Sequence, residues 1–131
     1  MPRPSSSQRR KTKTRIMKKL ILIAVILIET AAFSQNKNAK ASLEVNGVCL
    51  MCKTRIEKAS LNTKGVKSAI WDVKTHELKL IFDERKTNVK TIEKNIVAVG
   101  HDTKNLKADD AIYKSIDSCC QYRDQAVIDA H

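Results

Sequence analysis

The sequence predicts an α+β domain in which four strands form one antiparallel sheet and two helices cover one of its faces, in the order β, α, β, β, α, β. Three observations predict it. Apolar residues alternate singly at Leu43 and Val45, at Ala69, Trp71 and Val73, and at Leu78, Leu80 and Phe82, the period of half-buried strands. They recur at helical spacing after Cys52 and again from Val89. The three glycines, Gly47, Gly65 and Gly100, fall where these runs end. Two βαβ halves of this kind make a ferredoxin-like sandwich.

Each element follows from its residues. Gln35 to Lys40 is polar and reads as a flexible lead-in, and the domain proper is expected over 41–107. Leu43 and Val45, interleaved with Ser42, Glu44 and Asn46, predict a short strand ending at Gly47. Met51 to Leu61 predicts an amphipathic helix with Ile56, Ala59 and Ser60 or Leu61 inward and Lys53, Arg55, Glu57 and Lys58 outward. Lys74 to Glu77 is the turn of a hairpin whose strands carry Ala69, Trp71 and Val73, then Leu78, Leu80 and Phe82. Thr87 or Asn88 caps a second helix with Val89, Ile92, Ile96, Val97 and Val99 on one side, stopped by Gly100. A last strand is expected over 103–107. Residues 108–131 form an extension outside the basic fold, helical from Ala108 to Asp117 through Ala111, Ile112 and Ile116, and carrying Cys119 and Cys120.

Charge and leader bound the function. The chain of 131 residues has a formal charge of +11, but eight of its 25 basic residues precede position 20. Beyond residue 34 stand 17 basic and 13 acidic residues, a balance of +4 that is no phosphate-binding footprint, so nucleic acid is not an expected partner. Residues 1–34 read as a leader. Lys18 and Lys19 precede the apolar run Leu20–Ile28, and Ala32-Phe33-Ser34 offers small residues where a signal peptidase cuts, before Gln35. Met17 is the more ordinary start. The run is short of the roughly 20 residues a spanning helix needs, and no cysteine follows closely enough to take a lipid. The mature chain is therefore expected in the periplasm or secreted, with no stable membrane insertion after cleavage.

Chemistry concentrates at Cys49 and Cys52. They stand where a strand hands over to a helix, and a helix N-terminus favours thiolate over thiol. A two-residue spacer lets both sulfurs reach one ion, and thiolates select soft metals such as copper(I), mercury(II) or zinc(II). No carboxylate pair, Ser/His/Asp set or glycine-rich phosphate loop appears, so the chain is not read as an enzyme.

The stretch Gly47-Val48-Cys49-Leu50-Met51-Cys52, with Ile56-Glu57-Lys58-Ala59, Gly65-Val66, Trp71-Asp72, Phe82-Asp83 and Gly100-His101-Asp102, is similar to the heavy-metal-associated domain of copper chaperones, copper-ATPase modules and periplasmic mercury-binding proteins. The resemblance covers about residues 41 to 107. It implies that Cys49 and Cys52 bind the ion, copper(I) first, and that the Gly100-His101 loop lies beside it. It also implies a metal-transporting ATPase or another metal-binding domain as partner. Where the family has Gly-Met-x-Cys, with the Met packed under the loop, this chain has Gly47-Val48-Cys49.

Other readings stand beside this one. Four cysteines in an oxidising compartment also suit disulfides, making a stapled interaction module. Thiol–disulfide exchange is the sharper rival, but thioredoxin-like enzymes need a cis-proline facing the cysteines, and Pro2 and Pro4 both lie in the leader. Adjacent Cys119 and Cys120 pair badly with each other. They suit a long-range or intermolecular disulfide, or else extra ligation. A last strand of about 17 Å leading away from the loop and a ten-residue helix of about 15 Å returning would bring them back to it. His101 is a further candidate ligand from its place after Gly100. His76, His131 and Met51 are given no role, and Lys53, Arg55 and Lys58 read as a solvated face, or as a docking surface for an acidic partner.

Overall fold

The computed structural model describes residues 13–21 and 34–131. The chain divides into two compact units at Ser34/Gln35. In the first, residues 13–21 are helical and exposed, while the rest of the predicted apolar run and Ala32-Phe33 lie outside the described residues. Among the described residues no helix is long and apolar enough to cross a membrane.

The second unit contains β1 (Ala39–Glu44), α1 (Leu50–Leu61), β2 (Val66–Trp71), β3 (Glu77–Phe82) and α2 (Val89–Val97), then α3 (Asp110–Ser115), a 3-10 turn at Ser118–Cys120, and α4 (Gln125–Asp129). The sheet is antiparallel in the order β1-β3-β2. Its inner face and the apolar sides of α1 and α2 enclose Val45, Ile56, Trp71, Leu78, Leu80, Phe82, Ile92 and Ile96, all buried. At the end of α1 the choice between Ser60 and Leu61 falls to Ser60, which is buried while Leu61 is about half exposed (48%). Asn88, not Thr87, caps α2, its side chain accepting from the Thr91 N–H at 2.9 Å.

The sheet corrects the expectation of four strands. The predicted last strand, 103–107, is reduced to a single bridge between Thr103 and Val45. The Asn46 N–H donates to the Asp102 carbonyl and the Lys104 N–H to the Glu44 carbonyl, so the segment does lie along the free edge of β1. Pairing stops because the chain folds on itself. The Thr103 N–H donates to the Leu106 carbonyl at 2.8 Å, and the Leu106 N–H donates to Thr103 Oγ1 at 3.1 Å. The backbone groups a strand would have offered are thereby spent locally.

Two further expectations change. The lead-in is ordered at its end: Ala39 pairs with Phe82 and is 7% exposed. Asn36 and Glu84 bond each other, the Asn36 N–H reaching Glu84 Oε2 at 2.9 Å. The extension holds a six-residue helix rather than a ten-residue one, and it belongs to the packed unit. Tyr113, Cys120 and Tyr122 are buried in it, and Ile116 rests on the core.

Candidate metal centre

The loop between β1 and α1 is set by Gly47 and Trp71. A Cβ on Gly47 would stand 3.0 Å from Trp71 Cη2 and 3.0 Å from Cys52 Cβ, so only glycine leaves the indole its place under the loop. The indole Nε1–H donates to the Val45 carbonyl at 3.0 Å. Gly47 of this loop thus sits against the ring.

Cys49 is the N-cap of α1. Its backbone is extended (φ −144°, ψ 172°), and its sulfur accepts from the Cys52 N–H at 3.4 Å, doing with sulfur what serine or aspartate oxygen does at other helix starts. Burial alone would raise the Cys49 pKa. Hydrogen bonding with the Cys52 N–H, with the Cys120 and Cys52 thiols and with the Met51 backbone outweighs it, and the pKa lies below the ordinary thiol value. Cys52, with no exposed surface, is pushed the other way by that burial.

The structure brings the two cysteine pairs together. Cys49 Sγ is 3.3 Å from Cys52 Sγ and 3.2 Å from Cys120 Sγ, and Cys120 Sγ is 3.9 Å from Cys119 Sγ. All four are free thiols. The sulfurs of Cys49, Cys119 and Cys120 lie within 4.8 Å of one another, a group able to hold a metal ion. Cys49 is half-buried, Cys119 exposed and Cys120 buried. The fully covered thiol of Cys120 is raised well above its usual range, first by burial and then by its contact with Cys49.

His101 lies beside this cluster without joining it. It is fully buried; its Nδ1–H donates to the Asn46 carbonyl at 2.8 Å, and Nε2 faces Arg55 Nη1 at 3.4 Å. Both ring nitrogens are thus engaged with protein groups. Burial, with the Arg55 charge added, lowers its pKa to about 4 against the pull of the Asn46 bond. The ring is a neutral structural tie between the Gly100 loop and the end of β1. Met51, half exposed, places its Sδ 3.9 Å from Cys119 Sγ.

Several residues that build the site have no signal in a linear motif. Arg55, expected on a solvated face, is partly buried: Nη2 donates to Asp117 Oδ2 at 2.7 Å, and Nη1 faces His101 Nε2 at 3.4 Å. Lys53 likewise turns inward, donating to the Trp71 carbonyl at 2.6 Å. Arg123 grips Asp102 with two bonds, 3.0 Å from Nε and 2.7 Å from Nη2, and stands 4.2 Å over the Tyr113 ring. Tyr122 OH accepts from the Asp102 N–H at 2.7 Å and donates to the Gly100 carbonyl at 2.8 Å. One clue was available: both tyrosines of the chain lie in the extension, which a freely solvated tail would not need.

Residues 42–102 match the family profile of the heavy-metal-associated domain. The likeness to that family lies in this segment and stops short of the extension. Solved structures similar to the chain include a CopZ metallochaperone (29% identity, 50% of this chain, 98% of that one, TM-score 0.48). Oxidized MerP from Ralstonia metallidurans CH34 is another (25% identity, 51% and 94%, TM-score 0.49). A third is the Cu(I)-loaded N-terminal domain of a potential copper-translocating P-type ATPase from Bacillus subtilis (25%, 57% and 95%, TM-score 0.49). No curated protein matches the chain. Cys49, Cys52 and His101 lie within the matched segment, while Cys119 and Cys120 lie beyond it.

Proposed function

We propose that this protein is an exported carrier of a soft metal ion, copper(I) before mercury(II) or zinc(II), which enters at Cys49 and Cys52 and is sequestered or passed on. The observation that carries this reading is the N-cap position of Cys49, with two further sulfurs within 3.3 Å of its own. A thiol already biased toward thiolate at a half-exposed helix start is the natural first contact for a soft cation. Cys52, buried and protonated, gives up its proton as the ion arrives. Transfer to a metal-transporting ATPase or another metal-binding domain would proceed by stepwise exchange, one partner thiolate bond forming as one of this chain's breaks. Export rests on the leader residues Lys18 to Ser34.

The test is an anaerobic copper(I) titration of the reduced protein against a coloured chelator, repeated with Cys49→Ser/Cys52→Ser and with zinc and mercury. Tight uptake that disappears in the double variant is the expected outcome. If the parent competes for none of the three ions, while Cys49 and Cys120 form a disulfide that turns over with protein substrates, thiol–disulfide exchange replaces the carrier reading.

A further inference from the structure

We propose that the extension closes the metal site from within: Cys120 and Cys119 act as internal ligands beside Cys49, so that the protein holds its ion with three thiolates of one chain and retains it rather than handing it on readily. This rests on the soft-metal reading above and says which of its two outcomes, sequestration or transfer, the fold is built for.

Sulfur spacing is the first argument. With metal–sulfur bonds of about 2.3 Å, two thiolates across a linear ion stand about 4.6 Å apart, and the corners of a planar trigonal site about 4.0 Å. In the proposed set, Cys49–Cys120 is 3.2 Å and Cys120–Cys119 is 3.9 Å, and all three sulfurs lie within 4.8 Å of one another. The first two edges are nearer the trigonal edge than the linear span, and the three sulfurs already form a closed triangle.

The second argument is that the arm is held in place by contacts that involve no sulfur. The Arg123–Asp102 pair, the two hydrogen bonds of Tyr122 and the Arg55–Asp117 pair fix the chain on both sides of the dithiol. Little ordering therefore remains to be done when the ion binds, which favours the intramolecular ligands over those of a partner. The third argument is access. Cys52 and Cys120 have no exposed surface, and the Cys120 carbonyl lies 3.9 Å from Cys52 Sγ. A partner thiolate reaches Cys52 only after the extension has moved. Charge is also provided for: three thiolates around a monovalent ion carry net negative charge, and the Arg55 guanidinium is near enough to Cys120 to act on it electrostatically.

The experiment loads the reduced parent, Cys119→Ser/Cys120→Ser and Arg123→Gln with one equivalent of copper(I). It counts sulfur neighbours by X-ray absorption and times release to a coloured chelator. The parent should show three sulfurs and the serine variant two, with release from the latter faster by about a hundredfold. Arg123→Gln leaves the set of sulfurs unchanged and should also release faster, which separates loss of a ligand from loss of the arm's anchor. Equal sulfur counts and equal release rates in a parent that binds tightly would overturn the internal-ligand proposal and leave the carrier reading intact. A parent that takes up no copper would overturn both.

Discussion

His101 shows how one buried ring is turned from ligation to structure. Its Nδ1–H is taken by Asn46, its Nε2 by Arg55, and its face by the Tyr122 ring at 5.4 Å between centroids. Because the folded protein holds it neutral, with a pKa of about 4 against an unfolded value of 6.5, the unfolded chain binds the extra proton between those values. Its contribution is thus complete above about pH 6.5 and is lost as pH falls toward 4, a change of about 3 kcal/mol. Urea melts of the apoprotein at pH 7, 5.5 and 4.5 should show that decline. Replacing His101 by Gln should flatten it, and an unchanged slope would deny His101 this role. On the opposite side of the site, Gly47→Ala should lower stability by about 1–3 kcal/mol and disturb Trp71 fluorescence, since the new methyl meets the indole and Cys52 Cβ at 3.0 Å.

At the scale of elements, the decisive pairing is between the Gly100–Asp102 loop and the extension. Gly100 has φ +97°, and a Cβ there would stand 2.7 Å from Ile116 Cγ2, so Gly100→Ala combines backbone strain with a clash against the arm. A loss of about 2–4 kcal/mol is expected in thermal melts. Arg123→Gln removes a bidentate grip on a mostly buried carboxylate and should cost about 1.5–3 kcal/mol. It should also speed alkylation of Cys120, read by mass spectrometry of timed iodoacetamide reactions. Unchanged labelling would mean that Tyr122 and Arg55 hold the arm without it.

For the whole molecule, the predicted leader gives the clearest test. Expressed in a cell with a secretory pathway, the protein should be recovered outside the cytoplasm with its first residue at Gln35, as read by intact mass. An uncleaved cytoplasmic product would remove the export proposal while leaving the metal centre untouched. Residues beyond 34 carry a balance of only +4, so association carried by them should be only weakly salt-dependent.

What could be read from the sequence alone was whatever depends on local order. The alternation at Leu78, Leu80 and Phe82, the helical spacing of Ile92 and Ile96, and the turn at Gly100 are properties of neighbouring residues, and the periods of strand and helix make them legible. Cys49 and Cys52 were legible for the same reason, since two residues and a helix start are enough to define the pair. The fourth strand was misjudged because its fate rested on Thr103 bonding Leu106 instead of the sheet edge, a choice between near-equal hydrogen bonds that no period records. The meeting of Cys120 with Cys49, 71 residues apart, was offered only as one alternative, from element lengths that the short α3 does not bear out. It depends on Arg123, Tyr122 and Arg55 finding partners across the fold, and only tertiary packing decides which charges and rings end up buried against each other.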